Sequence, residues 1–245
     1  MTRQVIVTTT TQNGYCIQMM ESLKNGTMVP DAIYVAVPSG TDPDLVKRIE
    51  EAGANVISCQ NYGALTNLNP FLDVDVDPES FIIVVNDGVT YHPKFIEGLV
   101  YGYQDVAPKI IEEYGIDAFV GYQGYDEPEK SWPRFYYRYN RGHGLFSDII
   151  DTKCGFGFVR KCMFGLPPIA PMTKDSEKYI YLSDSYIYSK HLTLNNTRGR
   201  VIRWPDINED NAIIEILTPE PDENKLLNGY IAGRRAHIQT VPTII

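Results

Sequence analysis

The sequence predicts an α/β fold, a mixed and mainly parallel sheet flanked by helices. Three observations carry that expectation. Short β-rich runs alternate with amphipathic stretches through the first half of the chain. Phe81-Ile82-Ile83-Val84-Val85 is an unbroken apolar run, as a strand buried on both faces of a parallel sheet requires. Of the 245 residues 43% are apolar and 22% charged, enough apolar material to fill one large core.

The elements follow in order. Val5 to Thr8 reads as a strand, Ile17 to Lys24 as a helix closed by Gly26, and Ala32 to Val37 as a second strand. Asp42 is a good N-cap with Pro43 at the first helical position; Leu45, Val46 and Ile49 share a face, and Gly53 suits a left-handed C-terminus. Asn55 to Ser58 and then Phe81 to Val85 supply further strands. Right-handed crossovers would gather the loops after these strands along one sheet edge, where open α/β sheets bind ligands. Asp117 to Tyr122 is another strand, whereas Gln123 to Gly144 is polar and aromatic without clear period. Ile149, Ile150 and Phe156 to Val159 restore β character, Gly165 to Lys178 is a Pro-containing loop, Ser183 can cap a helix running to about Leu194, and Arg200 to Trp204 makes a last strand.

Composition removes several function classes. The net charge of −9 lacks the basic excess that duplex DNA attracts, so no nucleic-acid partner is expected. No apolar run approaches the roughly 20 residues of a transmembrane helix, and the first eleven residues lack a secretory pattern. Cys16, Cys59, Cys154 and Cys162 form no CxxC pair and read as reduced thiols, which points to a cytoplasmic protein. GxxxxGK[ST], GxGxxG after the first strand, HExxH and GxSxG are all missing, and His92, His143, His191 and His237 are widely spaced.

Three segments remain that can carry chemistry. The first strand runs into the hydroxyl-rich turn Thr8-Thr9-Thr10, whose side chains can hydrogen-bond a nucleotide, although β-propensity and turn chemistry alone are the simpler account of them. Asn61-Tyr62-Gly63-Ala64-Leu65-Thr66-Asn67-Leu68-Asn69-Pro70 precedes the buried strand, which runs into Asn86-Asp87-Gly88-Val89-Thr90-Tyr91-His92-Pro93. Asp87, at the end of a buried strand, can hold a divalent cation or be an ordinary Asp-Gly turn. Gly155-Phe156-Gly157-Phe158-Val159-Arg160 is a glycine-rich bend, and Ser183-Asp184-Ser185 opens a helix whose dipole favours the acid in any case. Between them, Tyr125, Trp132, Phe135, Tyr136, Tyr137 and Tyr139 interleave with Arg134, Arg138 and Arg141. Such a segment can stack on sugars, or serve as a protein interface.

The order of these segments resembles the GT-A type nucleotide-sugar glycosyltransferases. In that superfamily a Thr-Thr strand end opens the nucleotide pocket, and a D-x-G-P-x-T-K-L-x-P stretch precedes a strand ending in a DxD motif. A G-x-G-x-x-x-R bend and an acidic pair near the acceptor follow. The resemblance spans about residues 4 to 205 and implies a single GT-A-like, Rossmann-like domain over 1–205, with 206–245 as a C-terminal tail packed on it. It implies a glycosyltransferase that moves a sugar from a nucleoside diphosphate sugar to a carbohydrate or glycoconjugate acceptor. Thr8, Thr9, Thr10, Asn67, Asn86, Asp87 and Gly155 would then bind the nucleotide sugar, Trp132 and Tyr136 the acceptor, and Asp184 would be the catalytic base.

The departures bear on the metal. The outer DxD acids are replaced by Asn86 and Gly88, and the family lysine by Asn67. The expected divalent cation, Mn²⁺ or Mg²⁺ on Asp87, is therefore weakly held or absent, with Arg160 and Lys161 as alternative sources of charge. The rival readings are a non-catalytic nucleotide-sugar or glycan binding protein with a degenerate DxD site, and a nucleotidyltransferase. The latter needs a Gly-rich, basic phosphate loop near the first strand, which this sequence lacks.

Overall fold

The computed structural model describes residues 3–11, 14–126, 138–140, 143–164, 184–208 and 210–217. In chain order the elements are β1 (Val5–Thr10), α1 (Cys16–Lys24), β2 (Ala32–Pro38), α2 (Pro43–Glu51), β3 (Asn55–Cys59), β4 (Phe81–Val84), β5 (Val89–Tyr91), α3 (Phe95–Tyr114), β6 (Asp117–Gly121), β7 (Gly124–Asp126), β8 (Arg138–Asn140), β9 (Phe146–Ser147), β10 (Ile149–Ile150), β11 (Phe156–Val159), α4 (Asp184–Leu194), β12 (Thr197–Val201) and β13 (Ile213–Ile216).

The main sheet has the order β3-β2-β1-β4-β11-β6-β12-β9. β1 pairs in parallel with β2 and β4, β2 with β3, and β6 with β12. β11 is antiparallel to both β4 and β6, and β9 is antiparallel to β12. Six strands therefore end at one edge, and two run the other way. A second sheet of order β10-β7-β8 sits beside β6, and β13 pairs antiparallel with β5.

Local chemistry explains the expected elements. β1 reads Val-Ile-Val-Thr-Thr-Thr, six β-branched residues buried at every position. The strand thus continues through the threonines that the sequence suggests as a turn. In α2 the Asp42 carboxylate accepts from the Asp44 amide at 3.1 Å, and Ile49 is the fully buried anchor of the inner face. Gly53 follows at φ +84. Gly26 has no positive φ; its value is space, since a Cβ there would lie 2.7 Å from the Pro93 carbonyl.

α3 corrects the sequence reading, which assigns no element to that stretch. Gly98, Gly102 and Pro108 hide its periodicity. The glycines allow close packing: a Cβ would meet the Tyr122 hydroxyl at 2.2 Å from Gly98 and the Ile202 side chain at 2.6 Å from Gly102. Pro108 lies on the exposed face, and Gly115 closes the helix at φ +68. Further along the chain, the strand expected at Arg200 to Trp204 is Thr197–Val201, and β13 follows it; Trp204 makes an isolated bridge to Ile207. Within the 206–245 segment, β13 lies against β5, and the Leu217 amide donates to the Gly88 carbonyl at 2.7 Å.

Gly155 immediately precedes the reversed strand β11. It sits at φ +89, and a Cβ would stand 2.6 Å from Phe95 Cζ and 3.1 Å from Leu99 Cδ1, both on α3. Backbone strain and overpacking act together there, so Gly155→Ala should cost about 2 to 4 kcal/mol. Urea unfolding should show a lower midpoint with an unchanged slope, and an unshifted midpoint would contradict this packing.

Candidate active site

The edge where β1, β2, β4, β6 and β12 end also receives the start of β11, because β11 is reversed. Phe156 pairs with Val84, so the turn Thr152–Cys154 and Gly155 lie beside the Asn86-Asp87-Gly88 turn that follows β4. Two tyrosines and an asparagine join these pieces.

The first join is at Tyr91. Its hydroxyl accepts from the Asn86 amide at 2.9 Å and lies 3.3 Å from the Lys153 carbonyl, to which it donates. Asn86 Oδ1 accepts from the Gly88 amide at 2.8 Å, closing the turn. Asn86 is exposed and Asp87 half-buried. Burial pushes the Tyr91 hydroxyl well above the ordinary phenol range, and Cys154, Asp87 and Asp151 add to the effect, so it stays protonated and structural.

The threonines are committed to the backbone. Thr8 Oγ1 donates to the Asn67 carbonyl at 2.7 Å, Thr9 Oγ1 to Val85 at 3.0 Å and Thr10 Oγ1 to Ala36 at 2.9 Å. Thr8 and Thr9 have no exposed surface, while Thr10 retains 9%. Their hydroxyls pin β1 to the loop before β4, to the end of β4 and to β2. Of the three, Thr10 is the one at the rim.

The second join is centred on Asn67 and Asp184. Asn67 Nδ2 donates to Asp184 Oδ2 at 2.7 Å, and Tyr188 Oη lies 2.7 Å from Asn67 Oδ1 and 2.9 Å from the Leu65 carbonyl. Asp184 Oδ1 accepts from the Ser185 amide at 2.8 Å. Ser185 Oγ accepts from the Thr152 amide at 3.1 Å, and the two hydroxyls share a bond of 3.0 Å. The start of α4 is thereby fixed to the turn before β11 and to the loop before β4. Asp184 is half-buried as a residue, but its carboxylate is packed round by protein. Burial is the largest influence and raises its pKa; hydrogen bonds from Thr152, Asn67 and Ser185 oppose that, and Asp151 adds to the rise.

Other expectations fare differently. Arg160 and Lys161 leave the far end of β11, where their amides donate to Ser80 and Pro78. Ser80 precedes Asn86 by six residues, about 20 Å along a strand, so neither cation can supply charge at the Asn86-Asp87 turn. Lys161 Nζ instead pairs with Glu79 at 2.7 Å, and Arg160 donates to the Leu72 carbonyl. Trp132 and Tyr136 lie outside the described residues. Among the described residues, no three His, Cys, Asp or Glu side chains cluster as a metal site. With the Asn86 oxygen accepting from Gly88, Asp87 is the one carboxylate of the turn. That donor set does not build a metal centre.

Sequence reasoning missed Thr152 and Tyr188, and it named Tyr91 and Ser185 only as members of their segments, without a role. One signal was available: Tyr188 stands four residues after Asp184, hence on the same helical face.

No family model matches the chain, and no curated protein matches it in sequence. Solved structures match in fold. Glucosyl-3-phosphoglycerate synthase from Mycobacterium tuberculosis in complex with phosphoglyceric acid does so with a TM-score of 0.53 and 14% identity, over 98% of this chain and 82% of that one. The same protein with Mn²⁺ and UDP-glucose gives 0.53 and 14%, over 98% and 81%. The mannosyltransferase PcManGT from Pyrobaculum calidifontis, in complex with GDP-Man and Mn²⁺, gives 0.58 and 13%, over 98% of this chain and 66% of that one. The chain thus shares its fold with these nucleotide-sugar complexes.

The Asp184 pKa shift predicts how stability varies with pH. A carboxylate whose folded pKa is raised destabilises the folded state when ionised. That cost is absent below the unfolded pKa of about 3.9 and grows until pH passes the folded value. Asp184→Asn removes the charge, so its stability relative to wild type should rise across that window and then level off, as urea titrations between pH 4 and 7 would show. A difference flat in pH would contradict the burial of the charge.

Proposed function

We propose that this protein transfers a sugar from a nucleoside diphosphate sugar to a carbohydrate or glycoconjugate acceptor, with Asp184 as the base. One observation carries the reading. A carboxylate is held by defined hydrogen bonds at the strand-end edge of a fold whose structural neighbours hold UDP-glucose and GDP-Man. Open α/β sheets bind ligands at such an edge.

In this reading Thr10, Asn86, Asp87 and Gly155 border the donor, Thr8 and Thr9 hold that border in place, and Asn67 links it to the base. The acceptor oxygen forms a bond to the anomeric carbon as the bond from that carbon to the diphosphate oxygen breaks. The electron pair leaves on the diphosphate, and the acceptor proton passes to the Asp184 carboxylate. Trp132 and Tyr136 are assigned to the acceptor from the sequence resemblance. A cytoplasmic location belongs to the same reading, supported by four free thiols. Among the described residues no helix is long and apolar enough to cross a membrane.

Asp87 is the group that would meet a divalent ion arriving with a diphosphate, and no step is routed through that ion. The single carboxylate of the turn also favours a second reading, a nucleotide-sugar binding protein that does not catalyse transfer. The two readings separate on turnover.

Thermal shift against UDP, GDP, CDP and dTDP sugars should show stabilisation by one nucleotide class. Asp184→Asn should keep that shift while transfer falls by about 10²- to 10⁴-fold; near-normal transfer would remove Asp184 from the mechanism. Asp87→Asn should abolish whatever Mn²⁺ dependence the shift shows. Micromolar Mn²⁺ binding that survives this change would point to a different ligand set. Lys161→Ala should leave donor affinity unchanged.

A further inference from the structure

Asn67 makes contacts whose donors and acceptors can be arranged in two ways. Its amide lies between two groups, Asp184 Oδ2 at 2.7 Å on one side and Tyr188 Oη at 2.7 Å on the other, and Tyr188 Oη also lies 2.9 Å from the Leu65 carbonyl. Asn67 and Tyr188 are buried, at 5% and 0% exposure, so an unmade bond here is not replaced by water. An amide presents a donor on one end and an acceptor on the other, and the two ends have nearly the same shape.

When Asp184 is ionised it only accepts. Asn67 Nδ2 donates to it, and the Tyr188 proton goes to Asn67 Oδ1. The Leu65 carbonyl keeps its contact from the Leu68 amide at 3.4 Å. When Asp184 is protonated, the chain can run in the opposite direction. The Asp184 hydroxyl donates to Asn67 Oδ1, the inverted Nδ2 donates to Tyr188 Oη, and Tyr188 donates to the Leu65 carbonyl. Only the two terminal atoms of the Asn67 amide exchange places, and each group of the chain keeps a hydrogen-bond partner in both states.

We propose that Asn67 is the reversible link of a hydrogen-bond relay from Asp184 to Tyr188 and the Leu65 carbonyl, its side-chain amide inverting as Asp184 gains or loses a proton. Asn67 is a positioning residue in this scheme and need not touch substrate. The relay gives Asp184 two fully bonded states, which a group that takes up a proton and later releases it requires. This rests on the reading of Asp184 as a base for its purpose, though its physics does not depend on any substrate. Among the described residues, the ionisable groups that face Asp184 are Asp151, from the turn after β10, and Tyr188, from its own helix. Tyr188 is held protonated by burial and by the nearby Asp184 charge, although the Leu68 and Asn69 amides partly oppose this. Asp151 changes the Asp184 midpoint without taking part in the chain.

Nuclear magnetic resonance on the ligand-free protein tests the relay. The Asp184 carboxyl carbon reports its protonation, and the Asn67 amide protons are assigned by their loss in Asn67→Ser. Below the Asp184 midpoint those protons should show a strong Overhauser effect to the Tyr188 ring ε protons. Above it the effect should fall several-fold, with the same midpoint. An effect that stays constant through the Asp184 titration overturns the proposal.

Tyr188→Phe supplies a second arm. It leaves an inverted amide with a buried N–H facing a ring, which is worse tolerated than an underused carbonyl. The Asp184 midpoint should therefore drop by about one pH unit, tenfold in proton affinity; an unchanged or raised midpoint counts against the relay. If that variant does not fold, the wild-type measurement still decides. Loss of the transferase reading would be seen separately, as unimpaired transfer by Asp184→Asn, and would leave the resonance result standing.

Discussion

The antiparallel placement of β11 between β4 and β6 is the constraint on which the rest depends. A chain of parallel strands delivers each strand end to one edge and each strand start to the other. Reversing one strand exchanges the two for that strand alone. Gly155 and the Thr152–Cys154 turn, which precede β11, therefore reach the same edge as the Asn86-Asp87 turn, and Arg160 and Lys161, which follow it, are carried away. The helix that begins at Asp184 meets this edge through the pairing of Ser185 with Thr152. Had β11 run parallel, two cations would have faced the turn instead.

The electrostatics at that edge set burial against local bonds. Removing a carboxylate from water costs several kcal/mol, and each charge-assisted hydrogen bond returns about 1.5 to 3 kcal/mol. Asp184 receives bonds from Asn67 and Ser185 together with that of Thr152, yet the balance still raises its pKa. The role of base that we propose for Asp184 needs this compromise: ionised enough to take a proton, destabilised enough to want one. The far edge shows the contrast. There Glu79 bridges Arg3 at 3.4 Å and Lys161 at 2.7 Å in partly exposed pairs, which contribute at most about 1 kcal/mol each.

Much of the first half was legible because local rules and tertiary packing agree there. The β-branched run of β1, the apolar run of β4 and the Asp42-Pro43 start of α2 each say the same thing at both levels. α3 was illegible for the opposite reason: Gly98, Gly102 and Pro108 are breakers by local propensity, and the glycines make sense only once Tyr122 and Ile202 are known to press on them. Asp184 could be singled out by its helix-start position, and Asn67 by its place in a motif. Their mutual contact joins residues 117 positions apart, which no periodicity reports. The direction of β11 was equally hidden, since the four residues Phe-Gly-Phe-Val carry no signal of which way the strand runs.

The same sheet order has a consequence during synthesis. β4 is complete once residue 84 has left the ribosome, but its outer partner does not exist until residues 156–159 follow. For that interval, some 70 residues of translation, an apolar strand of Phe-Ile-Ile-Val stands at an open edge, the kind of template on which chains associate. The β6 and β12 strands cannot close it, because they reach β4 only through β11. Fragments ending before residue 156 should therefore be the sticky ones, and expression at lower temperature or with a holdase should help the nascent chain more than it helps the finished protein.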